Sequence, residues 1–216
     1  LCSTIDLGKD AFPYLGFREG IVAGIPARLL RVGFVGELAY EIHVPQLFGE
    51  ALWDALIKAG EKQGIKPFGI EAMRILRLEK GHVIIGQDTD AMTSPMEIQM
   101  TWAIARKKPF FVGGRMINEL EKRPSQRSLV GFVIDDLRVP TPQENHLVLS
   151  QDRMVWRVTS CSYSPTLKKR VGLAYVPPES AVPGSEIVIK STGGALVVAE
   201  VAELPFYDPA ATRQES

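Results

Sequence analysis

The spacing of hydrophobic and polar residues along this chain changes near residue 124. Before that point, apolar residues recur at helical spacing in some segments and in short extended runs in others. The predicted helices lie at 46–63, 69–80 and 113–122. The predicted strands lie at 27–33, 38–44 and 82–86. The first part of the chain therefore predicts a mixed helix and strand domain.

After residue 124 the pattern changes to short β-type runs separated by glycine and proline. The expected strands lie at 128–134, 146–150, 154–160, 170–176, 186–191 and 195–203. Many short strands without an intervening helix are typical of a small barrel or sandwich. The fold class is therefore α+β, with one domain over 1–124 and a C-terminal β-barrel domain over 125–216.

The amino-acid composition excludes several classes of function. The 216 residues carry 25 basic and 25 acidic side chains, so no basic field attracts nucleic acid. No apolar run reaches the length of a membrane span. The two cysteines, Cys2 and Cys161, and the three scattered histidines do not form a metal motif, so no metal is expected. Few cysteines and no export signal favour the cytoplasm.

A polar face is predicted on the strand 38–44. Its even-numbered residues are apolar, whereas Glu41 and His43 share the opposite face. Gly36, just before it, suits a turn that requires a positive φ. This arrangement directs Glu41 away from the core, either toward a ligand cavity or toward a surface ion pair.

Four segments, in chain order, resemble motifs of the folate-binding aminomethyltransferase family, which includes the glycine-cleavage T-protein. They are Arg31–Ile42, Gly69–Glu79, Pro95–Ile104 and Val158–Leu167. The segments Lys80–Asp90 and Ala105–Gly113 are more similar to the alpha subunit of heterotetrameric sarcosine oxidase, an oxidoreductase. In that branch the module ends a longer flavoprotein subunit. Because the chain begins at Leu1 and not at Met, we expect the N-terminal part of the first domain to be missing.

The resemblance implies a tetrahydrofolate-dependent transfer of a one-carbon unit derived from an amine. Glu41 matches the family glutamate that holds the donor edge of the pterin ring, and a carboxylate accepts two such donors side by side. Glu37 is expected to shape the adjoining loop. Trp102 is expected either to line the folate site or to pack in the core. Phe34 replaces the family's tyrosine. Arg74 is expected to stand in for the family arginine, whose own position is occupied by Met73.

No catalytic residue is assigned, because the family's aspartate lies upstream of the first matching motif. The chain contains no glycine-rich dinucleotide motif, so FAD, FMN and NAD are expected only in partner or upstream regions. The expected partners are folate, the one-carbon unit, and other subunits or the missing upstream domain. Three hypotheses stay open: the folate module of a sarcosine oxidase-like complex, a stand-alone glycine-cleavage aminomethyltransferase, and a non-catalytic folate-binding protein.

Overall fold

A computed structural model of the chain describes residues 1–150 and 153–214. These residues form two compact units. The first, called the N-terminal unit, consists of residues 1–76 together with the C-terminal residues from 210 onward. The second, called the barrel unit, consists of residues 77–209. The predicted domain boundary near residue 124 lies inside the barrel unit of this division and stays a prediction.

The N-terminal unit is built on a three-stranded antiparallel sheet with the order β1-β2-β3. The strands are β1 (Phe17–Val22), β2 (Ile25–Leu30) and β3 (Glu41–His43). Ala23 and Gly24, both at positive φ, make the tight turn between the first two strands. Alternate residues of β2 are buried, and they pack with Phe12, Val22 and Leu52 into one apolar cluster. One face of the sheet is therefore a core face, and the other is left to polar residues.

Helices follow the sheet in the order expected from the sequence. The helix α1 (Gly49–Gly60) contributes Leu52 to the apolar cluster, and α2 (Ile70–Glu79) ends in the barrel unit. Gly64 lies beyond α1 at a φ of 74°, a conformation that glycine adopts without a steric penalty. A third, shorter helix, α3 (Gly114–Leu120), lies in the barrel unit. The segment 96–105, whose sequence pattern fits a helix and a strand equally, forms turns and a short 3-10 helix at Thr101–Ala103.

The barrel unit contains six antiparallel strands that close in the order β4-β7-β6-β5-β8-β9. They are β4 (Ser128–Ile134), β5 (Leu147–Ser150), β6 (Arg153–Ser164), β7 (Lys169–Val176), β8 (Glu186–Lys190) and β9 (Leu196–Ala202). The predicted C-terminal β-barrel and the α+β class are both confirmed. Closure pairs β4 with β9, which leaves neither strand as an open edge.

Strands β4 and β7 are buried on both faces. Phe132 and Ala174 belong to the barrel interior, whereas Leu129, Leu173 and Tyr175 pack outside the barrel against another apolar cluster. That outer cluster includes Leu78, Val83 and Ile98, so the segment that follows α2 lies over the barrel wall. The nearly continuous apolar run from 171 to 176 reflects this burial on two sides.

Several predicted strands were wrong or shifted. The run 82–86 is not a strand: Gly81 and Gly86 adopt positive φ, and the amide of Ile84 donates to Asp88 instead of a neighbouring strand. The segment 38–44 is extended only over Glu41–His43, and the first predicted strand begins and ends earlier, at Ile25–Leu30. Strand β1 was not predicted, since glycines interrupt its apolar pattern; Gly20 is needed there because an added Cβ would lie 2.6 Å from Ile5.

We predict that Gly172→Ala destabilises the barrel. Gly172 pairs with Phe132 across β4 and β7, and an added Cβ would collide with that ring and lie 2.6 Å from the Ser160 carbonyl oxygen. Forcing an extra methyl group into a packed core costs about 1–3 kcal/mol. Urea unfolding followed by circular dichroism should show this loss. Gly49→Ala, where an added Cβ meets nothing within 4 Å and the backbone is helical, is the control and should leave stability unchanged or raise it by up to about 1 kcal/mol.

Candidate functional site

The outward face of the three-stranded sheet carries a row of charged side chains. Glu19, Arg28 and His43 are register partners across β1, β2 and β3, and they share this face. The Arg28 guanidinium donates two hydrogen bonds to one carboxylate oxygen of Glu19, at 2.6 and 3.0 Å. Its carbon lies 5.9 Å from the centre of the Phe17 ring. The face thus combines paired charges with an exposed aromatic ring.

Glu41 lies on this same face, at the start of β3. Its neighbours Tyr40 and Ile42 pack against the apolar cluster, so the predicted alternation of faces is confirmed. The Glu41 side chain is 59% exposed, and its Oε2 lies 3.0 Å from Nε2 of His43. Among the described residues, no hydrogen bond engages its other carboxylate oxygen. Glu41 is therefore a surface carboxylate with one oxygen available to a donor.

A shallow hollow of about 510 Å³ lies on this face of the sheet. His43, Arg28 and Glu19 line it, together with Pro26 and Pro45. Glu41 is not among the lining residues, although its partner His43 is. In this chain the hollow is open, and Glu41 stands at its margin.

The other residues predicted from the family motifs are spread over the chain. Phe34 is 37% exposed, and Glu37 accepts from Nε of Arg213 at 2.7 Å. Arg74 lies 3.6 Å from Glu71 in an exposed ion pair on α2. Trp102 is 75% exposed and belongs to the barrel unit. Phe34, Glu37, Glu41 and Arg74 are in the N-terminal unit. In the part of the chain that the structure describes, Glu37, Glu41 and Arg74 each have a different charged partner, Arg213, His43 and Glu71.

A buried ion pair in the barrel unit was not predicted from the sequence. Arg77, at the end of α2, donates from Nη1 to Oδ2 of Asp88 at 2.6 Å, and both side chains are at most 2% exposed. The same nitrogen donates to the carbonyl of His82, and the other terminal nitrogen donates to Oγ of Ser160. Arg77 therefore has a structural role: it fixes a loop to the barrel wall.

Asp88 is fully buried, and both of its carboxylate oxygens accept hydrogen bonds. Its Oδ1 accepts from the hydroxyls of Thr159 and Ser160, both at 2.6 Å, and its backbone carbonyl accepts from the Tyr175 hydroxyl at 2.9 Å. Gln87 donates to Ser160 from the same loop. A buried carboxylate is tolerated when charge and hydrogen bonds compensate the lost hydration, as they do here. The sequence carried no distinctive signal for this network, because Thr159 and Ser160 lie in a strand that also contains Arg157, Ser162 and Ser164.

Two further buried contacts attach the end of α2 to the barrel. The Ser164 hydroxyl donates to Glu79 at 2.5 Å, and the Lys80 ammonium donates to the carbonyl of Asp208 at 2.6 Å. Ser164 and its neighbour Tyr163 lie in the segment Val158–Leu167, which resembles a motif of the family. Ser164 is buried in this contact, whereas Tyr163 is 43% exposed.

A cleft of about 750 Å³ in the barrel unit is bordered by Arg127 and Trp156. The Arg127 guanidinium lies over the rings of Trp156 and Tyr175, at 5.1 and 4.3 Å from their centres. Burial disfavours its charge, but the hydrogen bond and charge of Glu97 outweigh burial and raise the pKa of Arg127. Burial also raises the pKa of Tyr175. Arg127 therefore acts as a fixed cation that packs the segment around Glu97 on the barrel.

Within residues 1–150 and 153–214, no group of histidine, cysteine or carboxylate side chains is arranged to hold a metal ion. Over the same residues, none of the helices combines the length and the apolar character needed to cross a bilayer.

The fold defines a class: a mixed sheet and helix unit followed by a closed six-stranded barrel. Residues 1–108 match the GCVT N-terminal domain family, and residues 127–208 match the glycine cleavage T-protein C-terminal barrel domain. The chain belongs to this glycine cleavage T-protein family. Its polar sheet face carries Glu41 within the first match, and its buried Asp88 network joins that match to the barrel.

Named relatives fall in two groups. The chain is 33% identical over 204 residues to an aminomethyltransferase of Halothermothrix orenii, covering 94% of this chain and 56% of the relative. It is also 33% identical over 224 residues to the sarcosine oxidase subunit alpha of Corynebacterium sp. strain U-96, covering 100% of this chain and 23% of that subunit. The chain thus spans about half the length of the aminomethyltransferase relative and about a quarter of the oxidase subunit.

Among solved structures, the glycine cleavage system aminomethyltransferase T from Bartonella henselae is similar with a TM-score of 0.81 and 25% identity. The similarity covers 93% of this chain and 54% of that structure. The fold described above is therefore the fold of about half of such a protein.

We predict that Asp88→Ala costs about 3–5 kcal/mol of unfolding free energy, because it leaves the Arg77 guanidinium buried without its carboxylate. Urea denaturation followed by tryptophan fluorescence provides the measurement. Asp136→Ala is the matched control: its carboxylate is 44% exposed in a surface pair with Arg138, and its loss should cost about 0–1 kcal/mol. A loss below about 1 kcal/mol for the Asp88 variant would refute the anchoring role.

Cys161 is predicted to be chemically inert in the folded protein. Burial raises the pKa of its thiol to about 12, so roughly one molecule in 10⁴ carries the reactive thiolate at pH 8. Ellman's reagent at pH 8 should therefore label Cys161 far more slowly in native protein than in 6 M guanidinium, tested with a Cys2→Ser variant. Equal labelling rates in both solutions would contradict the burial of this thiol.

Proposed function

We propose that this chain is the folate-binding part of a sarcosine oxidase-type alpha subunit, which transfers a formaldehyde-level carbon to tetrahydrofolate. Family membership supports the transferase chemistry. Support for the oxidase branch comes from alignment along the full chain with the alpha subunits of two Corynebacterium strains, both 33% identical. The segments Lys80–Asp90 and Ala105–Gly113 favour the same branch.

The observation that carries the folate assignment is the position of Glu41. It lies in the motif Arg31–Ile42, on the polar face of the sheet, with one carboxylate oxygen unengaged. The pterin ring presents an amino group and a ring N–H side by side, and a carboxylate accepts both in a bidentate arrangement. His43 then orients the carboxylate through its contact at 3.0 Å.

An exposed carboxylate alone does not bind tightly, because water competes for its oxygens. We propose that other walls of the folate pocket come from the part of the family domain that this chain does not contain. Phe34 supplies an aromatic surface next to the motif, and Glu37, held by Arg213, fixes the loop. Arg74 replaces the family arginine from a neighbouring helical position.

The proposed reaction needs no external acid or base, because the amine that leaves takes up the protons that tetrahydrofolate loses. An iminium R–NH⁺=CH₂ loses its methylene carbon to N5 and N10 of tetrahydrofolate, which yields 5,10-methylenetetrahydrofolate. The two protons displaced from N5 and N10 end on the amine nitrogen, which leaves as R–NH₃⁺. Holding the two reactants together and excluding water supplies the acceleration, and such positioning is worth up to roughly 7–11 kcal/mol.

Glu41→Gln is predicted to weaken tetrahydrofolate binding by ~2–4 kcal/mol, about 30- to 900-fold in Kd, because an amide nitrogen then faces a pterin donor. Isothermal titration under anaerobic conditions measures it. Glu50→Gln, an exposed carboxylate at the start of α1, is the control and should change Kd by less than about threefold. Equal affinity of wild type and the Glu41 variant for tetrahydrofolate would contradict the proposal.

A second candidate is a stand-alone aminomethyltransferase of glycine cleavage, which the names of the Halothermothrix and Bartonella proteins favour. It requires an aminomethyl group delivered on a lipoyl carrier protein. Incubation of the chain with an aminomethylated carrier and tetrahydrofolate distinguishes the two. Carrier-dependent formation of 5,10-methylenetetrahydrofolate supports the second candidate, and its absence, with folate still bound, supports the first.

A further inference from the structure

The barrel carries apolar side chains on two parts of its outer wall, and the chain covers one of them. Leu129, Leu173 and Tyr175, on β4 and β7, pack against the segment that follows α2. The other part is the outer face of β5, β8 and β9. Among the described residues, none of the outward side chains of these three strands joins an apolar cluster with the rest of the chain. This second face therefore lacks the cover that the first one has.

Four apolar residues form a row across this second face. Met154, Leu149, Val188 and Val198 are successive register partners on β6, β5, β8 and β9. Directly paired residues of antiparallel strands share a face, and Ile189, next to Val188, belongs to the barrel interior. The row therefore points outward. Met154 and Val198, at its two ends, are 64 and 55% exposed.

Charged side chains of opposite sign flank the row on its two sides. On β8, Lys190 follows Val188 by two residues and Glu186 precedes it by two. Glu200 lies directly opposite Glu186 on β9, and like charges in such a pair destabilise a sheet. Over the described residues, the ion pairs include none of these three side chains. Lys190 and Glu186 are about 13 Å apart along the strand, too far to pair with each other.

A second copy of the chain complements this pattern of charges. A two-fold axis that lies along the apolar row places the row on itself and exchanges the two sides. Lys190 of each copy then faces Glu186 and Glu200 of the other, so all three side chains gain partners of opposite charge. The strands of the two copies stay nearly aligned, which is an arrangement in which sheets pack about 10 Å apart.

We propose that the chain forms a two-fold dimer through the outer face of β5, β8 and β9, with the apolar row at its centre. The face measures about 20 by 20 Å, because neighbouring strands lie about 4.8 Å apart and successive outward residues about 6.8 Å apart. It therefore buries about 400 Å² per copy, half of what a stable interface uses. The dimer is weak for this reason, with a Kd between about 10 μM and 1 mM. The inference is independent of the proposed function, since none of these residues is proposed to contact folate.

Sedimentation equilibrium of the full chain, between about 5 μM and 2 mM, measures the dimer. Val198→Glu should weaken association at least tenfold, because two like charges then meet at the axis without a partner. Val182→Glu is the matched control, since Val182 is 56% exposed in the barrel unit but lies outside these strands. It should leave the Kd within twofold. A Val198 variant that associates as tightly as wild type overturns the proposal.

Charge reversal tests the orientation of the two copies. K190E places acidic side chains on both sides of the row, and E186K/E200K places basic ones on both sides. Each variant alone should associate at least tenfold more weakly than wild type. An equimolar mixture of the two should form a heterodimer within threefold of the wild-type affinity, because every lysine again faces a glutamate. A mixture that associates no more tightly than the separate variants overturns the proposed arrangement.

Other occupants of this face give a different result in the same experiments. A wild-type chain that stays monomeric to about 2 mM refutes the dimer. If that monomer cosediments with phosphatidylcholine vesicles and Val198→Glu abolishes the cosedimentation, the face binds lipid instead. The substituted side chains are exposed, so circular dichroism of each variant should match that of wild type.

Discussion

The barrel unit depends on one buried charge pair. Arg77 ends a helix, Asp88 ends the loop that follows it, and neither side chain has contact with water to compensate its charge. Each therefore needs the other, and both need the hydroxyls of β6. This mutual requirement holds the segment after α2 over the outer face of β4 and β7. It also explains why those two strands are apolar on both sides.

The outer sheet face of the N-terminal unit carries its charges in the opposite way. Glu19, Arg28, Glu41 and His43 lie on this open face in pairs that remain in water, whereas Arg31, just after β2, is buried and donates to the carbonyl of Phe12. Exposed pairs contribute little to stability, so this face is free to serve binding without cost to the fold. The contrast supports a division of labour in which the barrel unit supplies rigidity and the sheet face supplies recognition.

Sequence pattern alone located most of the barrel, because strand alternation and turn residues act locally. Strand β4 has the bounds that the pattern predicted, and Gly64 ends the region of α1 as expected. Local pattern failed at 82–86, where an apolar run lies between two glycines and its amide is bonded to a buried carboxylate. The Asp88 network was not predictable, since its partners in β6 are 71 and 72 residues away in the chain. The folate role of Glu41 rests on its motif and stays a prediction; alternation alone favoured a surface ion pair, and the structure pairs Glu41 with His43.

A crystal structure of the chain with tetrahydrofolate bound tests the central claim most directly. The account predicts the 2-amino group and adjacent ring N–H of the pterin at about 2.7–3.2 Å from the two carboxylate oxygens of Glu41. A pterin bound elsewhere, for example in the cleft beside Arg127 and Trp156, with Glu41 still facing only His43, would contradict it.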